Sequence, residues 1–195
     1  EYIFPNFNYE KYMENNELKN GDLIYSVKGY QKNYNTNSDE IILVNNLIYS
    51  SFSKNSSSFD GLVSNHTILL RNLNSSSKNS NNYRNGEDSK LLTTIIYDMK
   101  FPLKKEGRNF NKFLSPKLSA RYSPNATKNN SNLNKRIAYD SIFSLDRIDD
   151  SGVEGGESLT LGLEYSLSNK LDEEKLNLSF ANILRLEENP DLPKI

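Results

Sequence analysis

The stretch SLTLGLEYSL, Ser158 to Leu167, limits the possible folds of this chain more than any other segment. Leu159, Leu161, Leu163, Tyr165 and Leu167 occupy one set of alternate positions, and Ser158, Thr160, Gly162, Glu164 and Ser166 occupy the other. A strand turns successive side chains to opposite faces, so the segment predicts a strand with one oily face and one wet face. The fold then turns on which apolar medium meets the oily face: a packed protein core, or lipid.

Composition narrows the choice. Apolar residues make up only 35% of the 195 residues, whereas a soluble domain usually carries about 45–50% on a count that includes glycine. Such a shortfall fits disorder, or a fold that buries one face of its strands against something apolar. The regular alternation argues against disorder. A formal net charge of -1 gives no overall pull toward nucleic acid or an anionic surface. Without cysteine the chain holds no disulfide and no thiolate metal site. No run approaches the ~18 apolar residues of a membrane helix, and no signal peptide opens the chain. Glu1 begins almost inside a strand pattern and no closing element follows PDLPKI, so the chain reads as a piece of a larger protein.

Eight segments read as strands: Tyr2–Tyr12, Asp22–Tyr34, Glu40–Phe52, Leu62–Asn74, Lys90–Leu103, Asn109–Ser123, Ser158–Leu167 and Lys175–Leu186. In the fifth, Leu91, Ile95, Tyr97, Met99 and Phe101 share a face against Thr94, Asp98 and Lys100. In the sixth, Phe110, Leu114, Leu118, Ala120 and Tyr122 oppose Asn111, Ser115, Lys117, Ser119 and Arg121. The third is apolar on both faces for half its length. No segment shows a helical period, and a short helical turn near Ile137–Phe143 is compatible with the pattern.

Two features favour lipid. Strands of globular proteins run mostly ~5–6 residues, and these run to ~10–14, as tilted membrane strands do. Phe110 and Tyr122 bracket Leu114 and Leu118 on one face, and at a tilt near 45° their separation projects to about 28 Å, close to a barrel's apolar band with its aromatic girdles. The connections also sort by parity. ENNELKNG, SKNSSSFDG, KKEGR and SNKLDEE are short, whereas the fourth, SSSKNSNNYRNGEDS, and the sixth, residues 124–157, are long, and the second is short. Short turns at one rim and long loops at the other are the asymmetry of an outer-membrane barrel. The expected fold is therefore all-β, an antiparallel up-and-down meander within one transmembrane barrel domain over residues 1–195. It should form an open, curved sheet with free edges when taken alone. A secreted β-sandwich binding module, with the Leu159–Leu167 row packed on a second sheet, is the soluble alternative, and a porin or receptor barrel is the alternative within membranes.

Little here points to catalysis. His66 is the only histidine, set mid-strand in VSNHTILL with no nucleophile motif beside it. One histidine and no cysteine leave no transition-metal constellation. Asp146, Asp149, Asp150 and Glu154 in SLDRIDDSGVEGGES have the chemistry of calcium ligands, but their spacing does not match an EF-hand loop. The plainer reading is a turn-rich loop whose acids pair with Arg147. GVEGGES lacks the lysine and following helix of a phosphate loop. Lys104, Lys105 and Arg108 read as a solvated rim rather than a nucleic-acid patch. No enzyme activity, cofactor or metal is expected.

The region from FLSPKLSARYSPN through IAYDSIFSLDRIDDSGVEGGESLTLGLEYSL resembles the C-terminal barrel of the LptD family of lipopolysaccharide-assembly proteins. The resemblance rests on Pro116-Lys117-Leu118, Tyr122-Ser123-Pro124, Tyr139-Asp140, the run Ile142 to Ile148 with Phe143, Asp146 and Arg147, Val153-Glu154-Gly155-Gly156, and Leu161-Gly162-Leu163. The family's second Asp-Arg pair is replaced by Asp149-Asp150-Ser151-Gly152, which leaves open how this loop is braced. The family's periplasmic domain, its cysteines and the final barrel strand are not among these residues.

The resemblance implies lipopolysaccharide assembly in the outer membrane of a Gram-negative bacterium. It also implies an LptE-type lipoprotein plug and a periplasmic bridge protein, reached through the absent N-terminal domain, as partners, with no nucleic acid. On that reading Thr94, Asp98, Lys100, Lys117, Arg121, Thr160 and Glu164 face the lumen. Leu91, Ile95, Tyr97, Phe110, Leu114, Leu118, Tyr122, Leu159, Leu161, Leu163 and Tyr165 face lipid. The loop carrying Tyr139, Asp140, Phe143, Asp146, Arg147, Gly155 and Gly156 covers the outer mouth.

Overall fold

The computed structural model describes residues 2–13, 21–34, 37–56, 59–131 and 137–193. The first connection, the tip of the third and residues 132–136 of the sixth lie outside the described residues. The described residues form one antiparallel sheet. Its strands are β1 (Tyr2–Met13), β2 (Gly21–Tyr34), β3 (Ser38–Ser56), β4 (Phe59–Lys78), β5 (Gly86–Lys100), β6 (Leu103–Glu106), β7 (Phe110–Ser123), β8 (Gly156–Asn169) and β9 (Glu174–Arg185). Each main strand pairs with its sequence neighbours in the order β1-β2-β3-β4-β5-β7-β8-β9, with β6 alongside β7. The meander is open, and β1 and β9 are its edges.

Three expectations need correction. The fifth segment does not run unbroken to Leu103: it ends at Lys100, and residues 103–106 form β6, pairing with Asn111–Leu114. Pro102 has no N–H for the ladder, so the break falls where the chain loses a donor. β3 and β4 are longer than expected because their ends are built from Ser, Asn and Asp, residues of low strand propensity that only the paired partner carries into the ladder. For the same reason the fourth connection shrinks from 75–89 to 79–85, leaving 124–155 as the one long connection among those described. The parity of the connections therefore rests on that loop alone. At 137–143 there is a single turn, with the Ile142 N–H donating to the Ala138 carbonyl at 2.9 Å, and no helix.

The register assigns every strand residue to one of two faces. Ile42, Val44, Asn46, Leu69, Arg71, Leu73, Thr94, Ile96, Arg121 and Thr160 lie on the face that the 124–155 loop covers, and all are buried. Ile42, Val44, Leu69, Leu73 and Leu92 close into one cluster with Val153 of the loop. The opposite face is bare. Leu161 and Leu163 are each 42% exposed, Leu91 is 65% exposed, and Ile95, Phe110, Tyr122, Leu178, Phe180 and Leu184 stand open beside them. No second layer of the described chain covers this face, so a β-sandwich is excluded for these residues.

Candidate functional site

The covered face is organised around arginines. A buried guanidinium is expensive unless its donors are met. Arg71 on β4 is 1% exposed. Its Nε donates to Asn46 Oδ1 at 2.7 Å and its Nη1 to the Gly152 carbonyl at 2.5 Å. Its Nη2 grips both Asp146 oxygens at 3.1 and 2.9 Å. Arg121 on β7 donates to the Leu145 and Ser144 carbonyls at 2.7 and 2.6 Å. The sheet thus holds the loop by the loop's backbone as well as by its side chains.

The loop reaches back through Arg147. Its Nε and Nη2 bind the two oxygens of Glu154 at 2.5 and 2.6 Å, the fork-to-fork geometry of a strong charge-assisted pair. The remaining donors reach Thr160 Oγ1 at 2.9 Å and Ser158 Oγ at 2.8 Å on β8. Glu154 Oε1 also accepts from Arg185 of β9 at 2.8 Å. Burial alone would raise the Glu154 carboxyl. The hydrogen bond and charge of Arg147, with Arg185 and Arg121 nearby, outweigh it and hold the group below the usual glutamate value. Further along, Asp149 meets Lys128 at 3.4 Å and Asp150 meets Lys28 of β2 at 2.5 Å. Burial pushes Asp149 up, but bonds from Ser151 and Lys128 prevail and lower it.

These contacts correct the expectation that the loop's acids pair with Arg147. Only Glu154 does so, and Asp146, Asp149 and Asp150 take cations from β4, the loop itself and β2. The same contacts weigh against calcium at these acids. Among the described residues no His, Cys, Asp or Glu group is arranged to hold a metal ion.

Two glycines of the motif are required by close approach. A Cβ at Gly155 would meet the Asn125 carbonyl at 2.1 Å, and one at Gly162 would meet Phe143 Cζ at 2.5 Å. Gly156 has φ +83°, a conformation side chains rarely adopt. Phe143 therefore sits on β8 where that strand offers no side chain. Tyr139 packs edge-on to Phe143 with ring centres 5.9 Å apart, and Lys117 lies 5.3 and 5.7 Å from the two rings. Lys117 also pairs with Glu164 at 2.8 Å. Phe52, Asp98, Lys100, Lys117, Tyr139 and Phe143 line a recess of about 360 Å³ in the half of the face nearer the short turns, with the exposed Asp140 at its margin.

The register places Thr94, Asp98, Lys100, Lys117, Arg121, Thr160 and Glu164 on the covered face. It places Leu91, Ile95, Tyr97, Phe110, Leu114, Leu118, Tyr122, Leu159, Leu161, Leu163 and Tyr165 on the bare one. His66 is on the bare face, stacked on Tyr97 at 4.5 Å. Sequence reasoning missed Arg71, Lys28, Asn46 and Arg185. Only Arg71 left a signal, as a charge between Leu69 and Leu73 in an otherwise apolar row.

A single antiparallel sheet, apolar and uncovered on one side and covered by a loop on the other, fits the class of transmembrane β-barrel proteins. The sequence matches the family model described as LPS transport system D over residues 3–194, and the chain belongs to the LptD family. This is a family of lipopolysaccharide transport and assembly at the outer membrane of Gram-negative bacteria, and not a family of enzymes. No curated protein matches the sequence.

Proposed function

We propose that residues 1–195 form part of the wall of one transmembrane barrel that assembles lipopolysaccharide into the outer membrane. The bare face meets hydrocarbon. The covered face meets the lumen, and the 124–155 loop covers the outer mouth. An LptE-type lipoprotein and a periplasmic bridge protein are its partners. The observation that carries this reading is the bare face itself: Leu91, Ile95, Leu161 and Leu163 stand exposed on a single sheet that no other part of the described chain covers. Lipid-facing positions tolerate no unpaired charge at mid-depth, whereas lumen positions do, and Lys117, Glu164 and Asp98 all lie on the opposite side.

A photo-crosslinking residue placed in turn at positions 159 to 164, in outer membranes, tests the reading. Positions 159, 161 and 163 should capture lipid chains, and 160, 162 and 164 should capture protein or glycolipid sugar. Uniform capture without alternation would reject the wall assignment. Loss of the protein should deplete lipopolysaccharide from the cell surface.

A further inference from the structure

At the short-turn rim β6 and β7 place two lysines directly opposite each other. Lys105 pairs in register with Lys112, and the neighbouring pair on the same side is Leu103 with Leu114. Across β7 the partner of Lys112 is Leu167. Both lysines therefore stand on the bare face, one step along the strand from Phe110, with Leu103, Leu114 and Leu167 among their neighbours there. Both are exposed. Among the described residues neither has an ion pair, a hydrogen bond or an aromatic ring within reach, although Lys104 beside them pairs with Glu106 at 2.7 Å on the other face. Arg108 in the adjoining turn is likewise exposed.

Like charges at directly opposed positions destabilise a sheet. At a membrane boundary an unmatched lysine also loses hydration. An arrangement that accepts both penalties is stable where the surroundings supply a shared anion. Two ammonium groups projecting from neighbouring strands, with leucines on their inner side, match a lipid whose phosphate lies at the rim and whose chains lie along Leu103, Leu114 and Leu167. Long lysine stems let the charge reach the headgroup level while the methylenes stay in the apolar band.

We infer that Lys105 and Lys112 hold the phosphate of an anionic phospholipid in the leaflet that meets the short-turn rim. The inference rests on the bare face being the lipid-facing side of the wall.

The test uses the protein reconstituted in nanodiscs of phosphatidylcholine with spin-labelled phosphatidylglycerol or spin-labelled phosphatidylcholine. The readout is the preference of the protein-bound shell for the anionic lipid. Lys105→Gln with Lys112→Gln should lower that preference by up to about thirtyfold, about fivefold for each basic group near an anionic surface. The double arginine variant should keep it, and Lys170→Gln, whose Nζ reaches Asn111 at 3.1 Å on the covered face, should leave it unchanged. Salt at about 1 M, where the Debye length is ~3 Å, should erase it in the parent protein. Lys105→Gln alone should lower it by up to about fivefold, and it serves as the variant if the double change fails to fold.

A crosslinker at Leu163 is read in the same discs. Lipid capture at Leu163 with an unchanged phosphatidylglycerol preference in a folded glutamine variant would overturn this inference while leaving the wall intact. No capture at Leu163 would overturn both.

Discussion

The covered face is built in two ways along its length. Toward the loop rim it is locked. Arg71, Arg121 and Arg147, at 1%, 6% and 2% exposure, have their donors met by loop carbonyls, carboxylates and strand hydroxyls. Toward the short turns the sheet carries Asp98, Lys100 and Lys117 on an open recess, and the pair that Lys117 makes with Glu164 keeps 27% and 37% of its side-chain surface in contact with solvent. Buried, fully met charges fix one geometry because leaving any of them unmet costs several kcal/mol. Half-exposed pairs contribute little to stability and stay available. The rim half therefore positions the loop, and the recess half is the part of the face left free to meet something else.

The largest effect that would break this contrast is loss of the Arg147 fork. Arg147→Ala leaves Glu154 buried with only Arg185, and the loop should lose roughly 3–5 kcal/mol of docking stability. Rapid proteolysis between 137 and 155 in an otherwise folded sheet checks it. The contrast between faces gives the next effect. Leu163→Arg should cost ~2–4 kcal/mol and reduce assembled protein in the membrane, whereas a charge at the neighbouring position 164, which already carries one, should assemble normally. Gly162→Val should displace Phe143 at a cost of about 1–3 kcal/mol, read as increased hydrogen exchange at 139–143 with the Arg147 fork retained.

The docked loop should also respond to acid. The Glu154 carboxyl is held below its ordinary value of 4.5, so its stabilising contribution is complete above that value and is lost as the pH falls through the lowered one. Loop protection should be flat near neutrality and fall only in acid below 4.5. The smallest effect is in the open half: Glu164→Gln should change stability by less than about 1 kcal/mol.

Alternation made the faces legible. Every second residue from Leu159 to Tyr165, and from Phe110 to Tyr122, could be assigned because a strand's period is fixed by backbone geometry. Strand ends were harder to read. The Ser- and Asn-rich ends of β3 and β4 are ordered by pairing with each other, a long-range effect that local propensity does not contain. The loop's own partners were half legible: Arg147 and Glu154 lie seven residues apart. Arg71, 75 residues from Asp146, and Lys28 on β2 meet the loop only because the sheet brings them under it. Where the family motif has a second Asp-Arg pair this sequence has Asp149-Asp150-Ser151-Gly152, and bracing comes instead from these cations of the sheet.

Glu154 accepts bonds from both Arg147 in the loop and Arg185 on β9. That sharing makes the carboxylate an alignment gauge for the last hairpin. Were β9 to slide by a single residue against β8, its side chains would all change sides. Arg185, now opposite Ser158, would then swing out onto the bare face, and its half of the Glu154 bond would go unfilled. The β8–β9 ladder tolerates one register because only one lets the loop and the edge strand share the same acid.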